Sequence, residues 1–149
     1  MHYVEAPNIV TIPDGTNNFP SSIFLGGGIT NCYDWQKEIC GYLKDTHLIL
    51  LNPRRQHYPD NAALEQITWE YNHMNFAKAI MFWFSKETLC PITLFEYGKW
   101  ITRSKKLFVG CDPEYARKYD VEVQTSLERP YQKIHTDLKT LADEILGWA

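Results

Sequence analysis

No apolar run in this chain approaches the ~20 residues that a membrane span needs. The first residues show no charged stretch followed by an apolar core, so no signal peptide is read there either. A basic excess is also missing. Fifteen Lys and Arg against eighteen Asp and Glu leave a net charge of −3, which argues against a nucleic-acid polymer or an anionic membrane as partner. The basic clusters Asn52-Pro53-Arg54-Arg55 and Arg103-Ser104-Lys105-Lys106 are too short to reverse that. The four cysteines, Cys32, Cys40, Cys90 and Cys111, include no Cys-x-x-Cys pair. They form neither a zinc motif nor a disulfide framework, and reduced thiols in a cytoplasmic protein are the simplest expectation. His57 and His73 match no standard metal spacing with the carboxylates, so no metal or cofactor is expected. Gly-x-Gly-x-x-Gly, the Walker Gly-Lys-Ser/Thr, a Gly-x-Ser-x-Gly elbow and a cysteine with a clear histidine partner are all missing.

What the chain does have is Ala79 to Trp100. It opens on Ala-Ile-Met-Phe-Trp-Phe, a continuous apolar run of the kind that forms a strand buried on both faces of a parallel sheet. After Pro91, apolar residues recur at helical spacing through Ile92, Leu94, Phe95, Trp100 and Ile101. This predicts a helix over 92–102 that carries Glu96 among large apolar neighbours, just past the carboxyl end of the strand. Ligands bind at that edge in open α/β sheets. A carboxylate there is costly unless it is paired or used, which makes Glu96 the leading candidate for chemistry.

The remaining elements alternate. Residues 1–21 read as an irregular lead-in with turn formers at Pro7, Pro13, Asp14-Gly15, Asn17-Asn18 and Pro20. A short edge strand at Tyr3–Ala6 or at Ile9–Ile12 is compatible with them. Strands are expected at 22–25, 48–51 and 106–109, and helices at 34–43 and 62–76, with Asp34 as an N-cap. A brief helix at 114–118, a short strand at 121–124 and a final helix after Pro130 carrying Ile134, Leu138, Leu141 and Ile145 complete the chain. Its 149 residues make one α/β domain with a parallel sheet covered on both faces.

Further candidates lie at the same edge. Gly26-Gly27-Gly28 follows the first of these strands and is either a tight turn or a loop that lets backbone approach a ligand. Glu70 sits on the helix that feeds the organising strand, where an ordinary surface glutamate is the competing reading. Arg54 and Arg55 follow the second strand and suit a phosphate or a carboxylate, or else a solvated loop. Trp69, Tyr71 and Tyr97 flank the two carboxylates and would wall a pocket for a flat ring, if they are not simply core.

Three segments resemble one family. Ile23-Phe24-Leu25-Gly26-Gly27-Gly28-Ile29-Thr30 resembles the first strand and glycine turn of the nucleoside 2-deoxyribosyltransferases. Gln66 to Phe84 resembles their helix-then-strand segment, and Phe95-Glu96-Tyr97-Gly98 their Phe-Glu-x-Gly nucleophile motif. Asn-Pro-Arg-Arg, Trp-Glu and Pro-Ile-Thr-Leu-x-Glu mark a transferase-like branch, and the likeness covers most of 22–125. It implies a flavodoxin-like (Rossmann-like) doubly wound sheet of about five parallel strands. It also implies a homo-oligomer whose neighbouring subunits complete each site.

The implied reaction is ping-pong. Glu96 attacks C1′ of a 2′-deoxynucleoside or nucleotide, the base leaves, and a second base takes the sugar. Glu70 occupies the place of a family aspartate that assists proton transfer. Gly26 to Gly28 would line the sugar pocket, and Asp34 or Asn52 would contact the sugar hydroxyls. The family aspartate six residues before the nucleophile is Cys90 here, which puts base choice and transfer itself in question. Two alternatives therefore stay open: a deoxynucleoside 5′-monophosphate N-glycosidase, with Arg54 or Arg55 on the phosphate, and a non-catalytic nucleotide-sensing module.

Overall fold

The computed structural model describes residues 1–10 and 21–149. In chain order its elements are β1 (His2–Glu5), β2 (Ser22–Gly27), α1 (Trp35–Tyr42), β3 (Ile49–Asn52), α2 (Ala63–Phe76) and β4 (Ala79–Phe84). They are followed by α3 (Pro91–Ile101), β5 (Lys106–Cys111), α4 (Lys118–Glu128), β6 (Ile134–His135) and α5 (Leu138–Trp148). The expected Ile9–Ile12 strand and the turn formers Pro13, Asp14-Gly15, Asn17-Asn18 and Pro20 lie wholly or partly outside the described residues. Among the described residues no helix is long and apolar enough to cross a membrane.

All six strands are parallel, in the order β1-β3-β2-β4-β5-β6. Without β1, the order of the other five is that of flavodoxin-like doubly wound sheets. β1 pairs with β3 from His2↔Ile49 to Glu5↔Asn52, so the lead-in contributes an edge strand near the first of its two expected positions. β4 is buried at every residue, as its uninterrupted apolar run requires for a strand covered on both faces.

Alternate residues of each strand build two cores. Ile23, Leu25, Met81, Trp83 and Phe108 pack against Trp35 and Ile39 of α1 and Leu141 and Ile145 of α5. Phe24, Ile80, Phe82, Phe84 and Val109 face Trp69 of α2, Tyr97 and Trp100 of α3 and Val121 of α4. Each such fully buried side chain contributes about 1.5–3 kcal/mol from apolar burial.

The C-terminal third corrects the sequence reading. The expected strand at 121–124 lies inside α4. Val121 and Val123 mimic strand alternation, but the buried pair is Val121 and Thr125, one helical turn apart, while Val123 is exposed. The expected helix at 114–118 is a pair of turns that precedes α4. Ile134 is not on the last helix. It belongs to β6, opposite Val109 of β5, and α5 starts after Asp137, whose Oδ1 accepts from the Thr140 N–H at 2.8 Å. Asp34 caps α1 in the same way, accepting from the Lys37 N–H at 3.0 Å.

Two long cations hold helix ends close to the sheet. Arg129 donates to the carbonyls of Trp100 and Ile101 at the end of α3 and of Arg103 and Lys105 just past it. Lys105 donates to Met74, Asn75 and Ala77 at the end of α2. Carbonyls at a helix end lack the full set of intrahelical partners, and a positive charge also complements the helix C-terminus.

Candidate functional site

A cavity of about 640 Å³ opens at the carboxyl ends of β2, β3 and β4. This is the switch point, where the chain leaves β2 on one face and β4 on the other. Its floor is Gly26, Gly27 and Gly28; α2 supplies Gln66 and Glu70, and α3 supplies Ile92, Thr93 and Glu96. The size suits a small organic ligand.

The glycines are there for close packing rather than for an unusual backbone angle. A Cβ on Gly27 would lie 2.4 Å from Cζ2 of Trp35 and 2.6 Å from the Trp83 carbonyl. The Trp35 indole N–H donates to Gly28 O at 2.9 Å, locking α1 beneath the loop. A Cβ on Gly28 would instead meet Cγ2 of Thr88 at 2.8 Å and Sγ of Cys90 at 2.9 Å, so this glycine leaves space in the cavity. Cys90 itself takes φ 47°, ψ 52° as the N-cap of α3. That left-handed conformation is strained for a residue with a Cβ. It turns the chain from the β4 loop into a helix whose first residue is Pro91, a favoured position for proline.

The two carboxylates define the electrostatics. Burial, and then the negative charge of Glu70, push the Glu96 carboxyl up to about 8, against a smaller downward pull from Lys99. Burial also raises Glu70, opposed by the Gln66 amide and the Arg55 guanidinium. Lys99 is engaged elsewhere as well, its Nζ lying 4.6 Å from the centre of the Tyr71 ring. The charge on Glu70 thus makes Glu96 the harder of the two carboxyls to ionise.

Arg55 is the cation of the cavity. Its side chain is 4 % exposed, and Nη2 lies 2.8 Å from Oε2 of Glu65, which is 60 % exposed. Its Nε is buried with no hydrogen-bond partner, and the guanidinium sits 5.8 Å from the Tyr58 ring centre. Arg54 points elsewhere. It donates to Gln36 Oε1 at 2.9 Å and Tyr33 O at 3.0 Å and lies 3.5 Å from Asp34, tying the loop after β2 to α1.

Of the residues singled out in the sequence, Gly26, Gly27, Gly28, Arg55, Glu70 and Glu96 line the cavity, and Asp34, Asn52, Arg54, Trp69 and Tyr97 do not. Asn52 is buried, donating to the Tyr3 hydroxyl at 2.6 Å and accepting from the Arg54 N–H at 3.0 Å. Tyr97 is also buried, its hydroxyl 2.6 Å from Oγ1 of Thr125 and its ring against Phe82 and Phe84. Trp69 donates to Asn8 O at 2.7 Å, stacks on His73, and lines a second, apolar cavity of about 790 Å³ with Ile9, Leu64 and Phe76. Among the described residues no three His, Cys, Asp or Glu side chains come together as a metal site.

Sequence reasoning passed over Tyr58, Gln66, Thr88 and Thr93 as lining residues. Gln66 carried a readable signal, because it lies four residues before Glu70 on the same helix and so shares its face. Tyr58 and Thr88 sit in loops, where no periodicity points. The family model described as "Nucleoside 2-deoxyribosyltransferase like" matches residues 20–115. That span contains β2 to β5 and every residue lining the cavity at the switch point. No curated protein matches the chain.

Proposed function

The chain belongs to the nucleoside 2-deoxyribosyltransferase-like family, and from that premise we propose that it cleaves the N-glycosidic bond of a 2′-deoxynucleoside or its 5′-nucleotide and passes the sugar to another base. The observation that carries this reading is the pair Glu70 and Glu96, lining one cavity and sharing the difficulty of ionising. Glycosyl transfer with a covalent intermediate needs such a pair, one carboxyl as acid and one as nucleophile.

In the productive arrangement Glu70 carries the proton and Glu96 is the carboxylate. A Glu96 oxygen bonds to C1′ as the bond from C1′ to the base nitrogen breaks. The bond's electron pair goes to the base, which takes the proton from Glu70. Developing positive charge on the sugar favours the ionised form of Glu96 at that moment, although burial opposes it in the empty site. In the second half a base nitrogen attacks C1′, the ester to Glu96 breaks, and the base N–H proton returns to Glu70.

One observation favours a hydrolytic variant. Cys90 lines the cavity, and burial pushes its thiol up, so it is neutral near pH 7. No carboxylate stands there to hold an incoming base, and water then resolves the ester. In that variant Arg55 is the cation nearest to hand for a 5′-phosphate.

Chromatography of a panel of 2′-deoxynucleosides and their 5′-monophosphates, with and without a second base, tests both readings. A new nucleoside means transfer, and free base with free sugar means hydrolysis. Full activity in Glu96→Ala overturns either one.

We also infer a homo-oligomer. Leu64, Ile67 and Tyr71 of α2 and Ile92 and Phe95 of α3 are all exposed, and Ile67 and Ile92 line the cavity. Apolar residues grouped at a site mouth favour a covering subunit, and light scattering should then give a mass above that of one chain. The four cysteines are free, in keeping with a cytoplasmic setting.

A further inference from the structure

Gln66 lies one helical turn before Glu70 on α2 and is buried at the cavity wall. Its Nε2 donates twice, to the Pro53 carbonyl at 2.8 Å and to Oε1 of Glu70 at 2.8 Å. The orientation of this amide is fixed by chemistry. The Pro53 carbonyl can only accept, so the nitrogen must face it, and both of that nitrogen's hydrogens are then engaged. Gln66 Oε1 is left buried with no partner. A buried unpaired oxygen is costly, and the site tolerates it while keeping the two donations.

We propose that Gln66 is the positioning residue of the acid, fixing Glu70 to the loop after β3 and reserving Glu70 Oε1 as an acceptor so that the transferable proton is carried on Oε2. This rests on the glycosyl-transfer reading for its catalytic consequence, while the coupling of Gln66 to Glu70 stands on the hydrogen bonds alone. The groups around the Glu70 carboxyl come from three elements. Arg55 after β3 and Gln66 on α2 favour its ionisation against burial, and its charge in turn raises Glu96 on α3. Lys99 acts on the other member of the pair. Gln66 is the one neutral group among them, so it steers the proton without adding charge to a cavity that already holds two carboxyls.

The wild-type protein tests the coupling directly by NMR. The Gln66 side-chain amide resonance should shift with pH as the carboxyl pair titrates, and that shift should vanish in Glu70→Gln. An amide resonance that is indifferent to pH, or that still shifts in Glu70→Gln, overturns the proposal. Gln66→Met removes both donations at similar volume. It should lower kcat roughly ten-fold and move the alkaline limb of the pH profile upward, because the Glu70 carboxylate has lost a donor and holds its proton more tightly. A fall in activity with the limb unmoved means a merely structural glutamine and also overturns the proposal. If the NMR coupling is found while no nucleoside or nucleotide is cleaved by the wild type, the Gln66–Glu70 pair stands and the glycosyl-transfer reading falls.

Discussion

Replacing Glu96 by Gln should make the protein more stable, and increasingly so as pH rises. The Glu96 carboxyl ordinarily titrates at 4.5 and is held at about 8 in the fold by burial and then by the charge on Glu70. A group whose folded pKa is raised favours the fold fully below its unfolded pKa, and that contribution is lost as pH climbs through the folded value. The window is therefore about pH 4.5 to 8. At about 1.4 kcal/mol per pH unit, the whole interval corresponds to about 5 kcal/mol. Water entering the open cavity and relaxation of Glu70 reduce this, so about 2 kcal/mol or more is the expected cost of charging Glu96 in the folded protein. Glutamine keeps the shape and cannot ionise. Urea unfolding of both proteins at pH 5 and pH 9 should give similar stabilities at pH 5 and a variant ahead by about 2 kcal/mol or more at pH 9. A difference that is the same at both pH values, or a wild type that gains on the variant as pH rises, refutes the placement of a strained carboxyl at this position.

Other substitutions separate the scaffold from the site. Gly27→Ala drives a Cβ to 2.4 Å from Trp35 and 2.6 Å from the Trp83 carbonyl; it should cost about 2–3 kcal/mol, read by urea unfolding. Gly28→Ala directs its Cβ at Thr88 and Cys90 in the cavity wall, so calorimetry should show weakened nucleoside or nucleotide binding with a smaller loss of stability. Arg129→Met removes a donor from four carbonyls at and just past the end of α3 and should destabilise by roughly 2–4 kcal/mol. A loss under about 0.5 kcal/mol, the range of ordinary surface changes, would contradict its role as a clamp.

The parts of the fold legible in the sequence were those with one dominant signal. The apolar run 79–84 could only be a doubly covered strand, and its boundaries coincide with β4. The Pro91 helix start and the Asp34 cap were local chemistry, and both lie within a residue of the observed ends. The C-terminal third was harder because its signals were short and ambiguous. Val121 and Val123 suit a strand as well as a helix, and β6 has two residues, Ile134 and His135, that exist as a strand through pairing with β5 rather than through any pattern of their own.

The site followed the same division. Glu96 and the glycines were named because their positions follow from where strands end, and Glu70, on the helix before β4, through the family resemblance; all of them line the cavity. Asn52, Trp69 and Tyr97 were named for their chemistry, but their side chains turn to Tyr3, to Asn8 and His73, and to Thr125, partners distant in sequence. Arg54 and Arg55 are adjacent and identical in type, yet one braces a loop and the other lines the cavity. Only the packed chain distinguishes them.

In the proposed reaction Glu96 becomes covalently bonded to the sugar. Mass spectrometry of the intact protein, after brief exposure to mixed 2′-deoxynucleosides and their 5′-monophosphates, followed by peptide mapping, tests this most directly. An added deoxyribosyl or deoxyribosyl-phosphate mass is expected on the peptide carrying Glu96, and it should be absent in Glu96→Ala. Base release with the adduct on another residue, or undiminished base release by Glu96→Ala, would contradict it.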